Sequence, residues 1–469
     1  MIRMNNAGIE MFKKGLIGKK IAVLGIGISN LPALQFFAKC GSIITACDMK
    51  EASQIPEEIM DKVKSVCDKW YFGADYLDHL EGHDIIVKSP GINPNKPQLV
   101  EAKKNGIEIT SEMEIFMSIC PCKMIAVTGS DGKTTTTTLI YKILSEEGYR
   151  CHVGGNIGTP LLSKVEDMYP DDIVVLELSS FQLMNMRVSP HVAVITNITP
   201  NHLDYHKDMS EYVDAKANIF ANQDENCKLV INGDNAITAS FKGKQKGTCE
   251  VFSRKYSDSE ATITDGYLCY KGEKIVLASE IRIKGWHNAE NYLAAICATA
   301  DLADAETIAK IARTFGGVEH RMEFVRHLDG VNFYNDSIGS SPTRTIAGLV
   351  AHEGDIVLIA GGKDKNLNYD KLGEVIKEKV KVLVLIGPTA DAIEASVRKA
   401  FGDKEVTIPM LRQTTYENVV KGAFALARGI RKDEDVSVIL SPASTSFDMF
   451  KNFEERGNLF KKIVNELKD

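Results

Sequence analysis

No stretch of this chain approaches the ~20 consecutive apolar residues that cross a bilayer, and its first twenty residues hold no signal-peptide core. A cytoplasmic protein with no membrane partner is expected. Positive charge is not in excess either: 56 Lys and Arg stand against 63 Asp and Glu, a formal net charge of -7. Without a broad basic field there is no case for a nucleic-acid partner, and any anionic ligand must be held by local groups. Regular cysteine spacing is also missing. The ten cysteines read as reduced thiols, and only Cys120 and Cys122 are close together. With no second Cys or His pair at zinc spacing, they are two part-buried thiols flanking Pro121. There is no repeat or low-complexity segment, and a monomer is expected.

What is present is an ordinary globular composition, 44% hydrophobic and 25% charged, over 469 residues. That length is too great for one core and suggests about three domains. Short apolar runs recur at Ile21 to Leu24, Asp84 to Val87, Met124 to Val127, Ile173 to Leu178 and Val192 to Thr196. More follow at Val331 to Tyr334, Ile356 to Ala360, Val382 to Ile386 and Val436 to Leu440. Runs apolar on both faces, separated by amphipathic stretches, are what buried parallel strands require, so the class is α/β. Boundaries are expected near residues 113 and 317, giving regions 1–113, 114–317 and 318–469. Residues 241–283, rich in charge and β-branched side chains, suit an antiparallel excursion of the middle region. Ligands of open parallel sheets bind beyond the strands' carboxyl ends, so the polar clusters there are the places to search.

The most specific local signal is Met124-Ile-Ala-Val-Thr-Gly-Ser-Asp-Gly-Lys-Thr-Thr135. A buried strand feeds a turn with Gly129 and Gly132. Lys133 and Thr134 then open a helix whose Leu139, Ile140, Ile143 and Leu144 share a face before Gly148 stops it. This is phosphate-loop geometry. Glycines let N–H groups converge on phosphate oxygens, the helix N-terminus adds positive potential, Lys133 reaches the terminal phosphates, and Thr134 can bind Mg2+. The first glycine stands only three residues before the second, a departure from G-x-x-x-x-G-K-[ST]. A weaker pattern is Gly25-Ile-Gly27-Ile-Ser-Asn30 after a strand, with Asp48 closing the next. It is a dinucleotide fingerprint without its third glycine, and leaves open a dehydrogenase or a tight βα turn. Glu177 and His202, near adjacent strand ends, suit Mg2+ or its supporting groups. In Trp286-His-Asn-Ala-Glu-Asn291, two amides can share a helix face and suit an adenine edge, while Asn288 reads equally as a helix start.

Thr128-Gly-Ser-Asp-Gly-Lys-Thr-Thr135, Gly155-Asn156-Ile-Gly, Leu176-Glu177-Leu-Ser-Ser-Phe-Gln-Leu, Asn201-His202-Leu-Asp204, His287-Asn-x-x-Asn291, Glu319-His-Arg321 and Asn335-Asp336-Ser stand in that order. The series resembles the Mur ligases over essentially the whole chain. The closing Leu440-Ser-Pro-Ala-Ser-Thr-Ser446-Phe-Asp-Met-Phe-Lys-Asn-Phe453-Glu-Glu-Arg-Gly is similar to the D-glutamate-adding branch. The resemblance implies a Rossmann-like UDP-substrate domain, a P-loop-type central ATPase and a dinucleotide-fold-like C-terminal domain that closes over the site. It also implies an ATP-dependent ligase with two Mg2+ ions, joining D-glutamate to UDP-N-acetylmuramoyl-L-alanine through an acyl phosphate. By the same resemblance Gly129, Ser130, Asp131, Gly132, Lys133, Thr134 and Thr135 hold the ATP phosphates, with Asn291, Arg321 and Asp336 also on ATP. Thr134, Glu177, His202 and Lys216 bind metal, Lys216 as a carbamate. Lys133, His202, Lys216 and Arg321 are the catalytic set. Asn156 lies near the muramoyl group, and Ser29, Asn30, Asp48, Ser89 and Gly91 near the uridine and diphosphate. Lys365, Ser446 and Phe453 line the D-glutamate site. By sequence alone, Lys216 reads as a lysine on a helix surface.

The rivals are a ligase of the same superfamily with another acceptor, a dehydrogenase, and a noncatalytic nucleotide sensor. The last is disfavoured by the joint presence of Lys133, Glu177, His202 and Lys216. One departure from the family stands out. Many D-glutamate-adding members have Asp-Ser-Lys-Ala-Thr where this chain reads Asp336-Ser337-Ile338-Gly339-Ser340, so a lysine expected beside the amino-acid carboxylate is an isoleucine. A buried carboxylate needs a partner. Lys365 is expected to supply it, assisted by Ser340, Ser341 or Arg344.

Overall fold

The computed structural model describes residues 7–27, 30–200, 205–283, 285–364, 367–446 and 449–468. Three sheets follow one another along the chain. The first contains β1 (Lys20–Leu24), β2 (Ile43–Asp48), β3 (Lys69–Phe72), β4 (Ile85–Lys88) and β5 (Glu108–Thr110). Its order is β3-β2-β1-β4-β5 and every pair is parallel. The chain leaves β1 towards β2 on one side and returns to β4 on the other, so the topology switches between β1 and β4.

The second sheet begins with β6 (Lys123–Thr128), β7 (Cys151–Gly155), β8 (Ile173–Glu177), β9 (Val192–Ile195) and β10 (Lys228–Asn232). It continues with β11 (Thr248–Ser253), β12 (Ala261–Thr264), β13 (Tyr267–Tyr270) and β14 (Glu273–Leu277), in the order β14-β13-β12-β11-β10-β9-β6-β8-β7. β6 is sandwiched between β8 and β9, and β8 is buried along its whole length, which explains the unbroken apolar runs. The 241–283 region is mixed. β11 and β12 still pair parallel, and only β12, β13 and β14 run antiparallel.

The third sheet, β15 (Glu323–Leu328), β16 (Val331–Asn335), β17 (Ile356–Ala360), β18 (Val380–Leu385), β19 (Met410–Arg412) and β20 (Val436–Leu440), has the order β15-β16-β20-β17-β18-β19. Only β15 is antiparallel to its neighbour. The chain divides into two compact units, residues 1–315 and 316–469. The first two sheets share a unit because one buried cluster runs through both, from Val23 and Phe37 to Phe116, Met124 and Leu176. Glu114 reinforces the join by accepting from the backbone and Nε of Arg187, each at 3.0 Å. Among the described residues no helix is long and apolar enough to cross a membrane, and the ten cysteines are free.

Candidate active site

The turn after β6 is tight for two identifiable reasons. At Gly129, φ 150°, an added Cβ would lie 1.9 Å from Thr196 Oγ1, and at Gly132, φ 79°, it would lie 2.3 Å from Asn291 Oδ1. Neither position tolerates a side chain. The end of β9 fixes the loop. Thr196 Oγ1 and Asn197 Nδ2 both donate to Asp131 O, at 2.6 and 3.1 Å. The N–H groups of Ser130 and Asp131 donate to Asn197 O and Oδ1, at 2.8 and 3.0 Å. Lys133 opens the helix Lys133–Glu146, and its ammonium donates to the loop's own carbonyls, Gly129 and Ser130, each at 2.9 Å. Thr134 and Thr135 stand half-buried in the same first turn. Asn291 Oδ1 accepts from Thr136 Oγ1 at 3.3 Å and its amide nitrogen turns to Asn288 Oδ1 at 3.4 Å. The amide pair thus packs against the phosphate loop, and the helix start is Gly285, the residue before Trp286–Thr299.

Lys216 is not a surface lysine. The helix Met209–Ala221 is capped by Asp208, which accepts from Glu211 N–H, and it buries Tyr212, Ala215, Lys216, Ile219 and Phe220. That is the i, i+3, i+4, i+7, i+8 stripe of a core-facing helix, with a lysine in its middle. Lys216 is 2% exposed, and Nζ donates to Gly129 O at 2.8 Å and lies 4.8 Å from the Tyr212 ring centroid. Burial, then the charge of Lys133, pushes its amine down to about 7. The phenol of Tyr212 meets Ser130 Oγ at 2.9 Å, so one helix touches the loop through two side chains.

Glu177 ends β8 beside β6 and is 1% exposed. Asn156 donates to its Oε1 at 2.8 Å, whereas Oε2 is buried with no hydrogen-bond partner among the described residues. An unmatched carboxylate oxygen beside a phosphate loop fits a hard cation. Among the described residues no three His, Cys, Asp or Glu side chains form a metal cluster of their own. His202 lies outside the described residues, as do Ser29 and Lys365.

In the first sheet the other candidates gather around the turn after β1. Asn30 Nδ2 donates to Leu24 O and Gly25 O, both at 3.0 Å. Asp48 accepts from the N–H of Ile26 at 2.6 Å and of Lys50 at 2.9 Å. Ser89 packs against Gly25, and Gly91 is exposed in the turn that follows β4.

In the second unit, β16 delivers Asp336, 5% exposed. Ser441 Oγ donates to its Oδ2 at 2.6 Å and Met322 N–H to its Oδ1 at 3.3 Å. Burial pushes the Asp336 carboxyl up to about 6 against the pull of Ser441, Met322, Arg321 and Arg344. Arg321 and Asp336 are thus neighbours. Ser446 is buried, and Phe453 opens the helix Phe453–Glu466 with its ring edge-on to His320. Ile338 is half-buried and Arg344 exposed. What holds this loop is Arg456, 1% exposed, which donates to Ser337 Oγ and O at 3.0 and 2.6 Å and to Ser444 O at 3.0 Å.

Thr196, Asn197, Tyr212, Ser441 and Arg456 had no functional reading in the sequence. Only Tyr212 carried a local signal, four residues before Lys216 on one helix face. The others are joined to their partners across long stretches of chain.

The family model described as "Mur ligase MurD-like, N-terminal domain" matches residues 19–111. "Mur ligase middle domain" matches 127–299, and "Mur ligase, glutamate ligase domain" matches 320–443. The chain is 52% identical to the UDP-N-acetylmuramoylalanine--D-glutamate ligase of Ruminiclostridium cellulolyticum, over 99% of this chain and 100% of that one. Enzymes of the same name from Acetivibrio thermocellus and Clostridium novyi are 52% and 49% identical, over 98% and 97% of this chain and 99% and 98% of theirs. Among solved structures, the UDP-N-acetylmuramate-alanine ligase of Thermotoga maritima shares the fold at a TM-score of 0.55 and 18% identity, over 96% of this chain and 100% of that one. A MurF ligase of the same organism, in complex with ADP, does so at 0.52 and 17%, over 97% of both. With three family models in sequence and about half of all residues shared end to end with those relatives, the chain belongs to the Mur ligase family.

Proposed function

We propose that this protein is an ATP- and Mg2+-dependent ligase that joins D-glutamate to UDP-N-acetylmuramoyl-L-alanine, through an acyl phosphate, in peptidoglycan synthesis. The observation that carries the reading is the convergence of a glycine-constrained phosphate loop, the half-matched carboxylate of Glu177 and the buried amine of Lys216. It occurs in a chain half identical to ligases of that name. Residues 1–113 would bind the UDP substrate, 114–317 ATP, and 318–469 the amino acid.

A carboxylate is a poor electrophile, and its activation brings it against the γ-phosphate of ATP, so both partners are anions. Lys133 would leave the carbonyls of Gly129 and Ser130 for the terminal phosphates, and the loop N–H groups of residues 129 to 135 would hold the rest. Thr134, Glu177, His202 and Lys216 would hold Mg2+, which screens the charge that builds up during phosphoryl transfer. Asn156 would keep Glu177 oriented beside the muramoyl group. Asn291, Arg321 and Asp336 are assigned to ATP, and Lys365, Ser446 and Phe453 to D-glutamate.

Lys216 is proposed to work as a carbamate. Its amine attacks CO2, the N–C bond forms, and the displaced proton leaves to solvent. Only a neutral amine can do this, and an amine held near 7 is neutral in about half of the molecules at neutral pH. The resulting carboxylate would turn a buried cation into a metal ligand. Phosphate release measured with UDP-N-acetylmuramoyl-L-alanine and a panel of amino acids tests the assignment. D-glutamate alone is expected to support turnover, and preference for L-alanine or a diamino acid would overturn the substrate choice.

A further inference from the structure

Lys88 ends β4 and is only 6% exposed. It makes no hydrogen bond or ion pair among the described residues, and its one favourable electrostatic neighbour is Glu114. That carboxylate is committed elsewhere, accepting from Arg187 N–H and Nε and from Thr110 Oγ1. A largely buried lysine whose ammonium has no protein partner is costly, even with its tip in contact with solvent, and the cost is offset where a ligand brings the missing oxygen.

Its place in the sheet says which ligand. Lys88 pairs in register with Leu24 of β1, and Leu24 pairs with Cys47 of β2. Lys88 therefore stands beside the last residue of β1 and on the same face as Leu24 and Cys47, while Asp48, one residue further along β2, falls on the opposite face. The end of β1 beside β4 is the topological switch point, where ligands of such sheets lie. Asp48 is tied to the turn by two backbone N–H groups, so the charge of Lys88 is the one left for an incoming anion. Asn30, which donates to the same Leu24 carbonyl, keeps its Oδ1 buried with no partner among the described residues, so this strand end is unsatisfied at a second point.

We propose that Lys88 binds the diphosphate of the nucleotide substrate, and that this contact sets the affinity of the first sheet for nucleoside diphosphates over nucleosides. The proposal rests on the reading of residues 1–113 as the nucleotide-substrate domain. Burial holds the amine down at about 8, so it remains mostly charged at neutral pH and available to an anion.

The test is calorimetric titration of the full chain, as wild type, Lys88→Met and Lys88→Arg, with UDP and with uridine. Lys88→Met is expected to weaken UDP about 10-fold to 100-fold, leave uridine within about twofold, and raise the thermal midpoint of the ligand-free chain because an unpaired charge is removed, with Lys88→Arg between for UDP affinity. Equal UDP affinity in wild type and Lys88→Met would overturn the role of Lys88 and leave the domain reading intact. So would a parallel loss of UDP and uridine affinity, which marks Lys88 as a structural partner of Glu114. Absence of UDP binding by the wild type would overturn the domain reading, and the proposal with it.

Discussion

The loops that follow β6 and β16 are held in shape by opposite means. The first is built from main chain, with two glycines pressed by Thr196 and Asn291 and peptide groups held by the end of the adjacent strand β9. The second is built from side chains, with serine hydroxyls and carbonyls gathered around a buried guanidinium that arrives from about 120 residues away. A main-chain loop places donors with little freedom and tolerates almost no substitution. A side-chain loop keeps its shape only while its arginine is present, and its chemistry can drift, as Ile338 illustrates.

The largest effects should come from the main-chain loop. Lys133→Ala is expected to lower the rate of phosphate release ~100-fold to 1000-fold, the loss of ~3 to 4 kcal/mol of charge stabilisation in the transition state. Near-normal turnover in that variant would remove the loop from the mechanism. Lys216→Ala should be almost as inactive, with activity partly restored by formate or acetate, small acids that can occupy the space of a carbamate. Full activity without rescue would show that the amine is only structural.

In the side-chain loop the damage should appear as instability first. Arg456→Met leaves the Ser337 and Ser444 carbonyls unpaired and is expected to cost about 3 kcal/mol, read as a lowered unfolding midpoint of the second unit by calorimetry. An unchanged midpoint would mean the loop is held by something else. Asp336→Asn should act in the other direction. The Asp336 carboxyl is raised in the folded state, so its contribution is most favourable below its ordinary value of 3.8 and becomes a cost as pH rises through about 6. The variant is therefore expected to be more stable than wild type by about 2 kcal/mol at pH 8, with no difference below pH 4, while losing ATP turnover. A gain that did not depend on pH would refute this. Arg344→Ala should be the mildest change, raising the KM for D-glutamate less than Lys365→Ala does. The reverse order would make Arg344 the group that replaces the lysine absent at residue 338.

Every apolar run read as a strand is a strand, most of them because a core strand of a parallel sheet has both faces buried and declares itself by composition, while Val331–Asn335 buries alternate residues. The phosphate loop was legible for a related reason, since the backbone conformations at Gly129 and Gly132 leave few residues to choose from. Lys216 was not. Its apolar stripe could be seen in Tyr212, Ala215, Ile219 and Phe220, but a lysine in a stripe is normally excused as surface, and only the contact with Gly129 O shows it buried. Arg456 and Ser441 stood in the closing motif, but their contacts could not be read, because their partners are fixed by sheet order and not by spacing. The cation at Lys88 was hidden in an otherwise apolar strand, Ile85–Lys88.

The most direct test of the central claim, that the loop after β6 activates a carboxylate through ATP, is the fate of carboxylate oxygen. UDP-N-acetylmuramoyl-L-alanine carrying 18O in its alanyl carboxylate should deliver one labelled oxygen to inorganic phosphate per amide formed, because the oxygen that attacks the γ-phosphate leaves with it. Phosphate free of label, at the same yield of amide, would contradict the account.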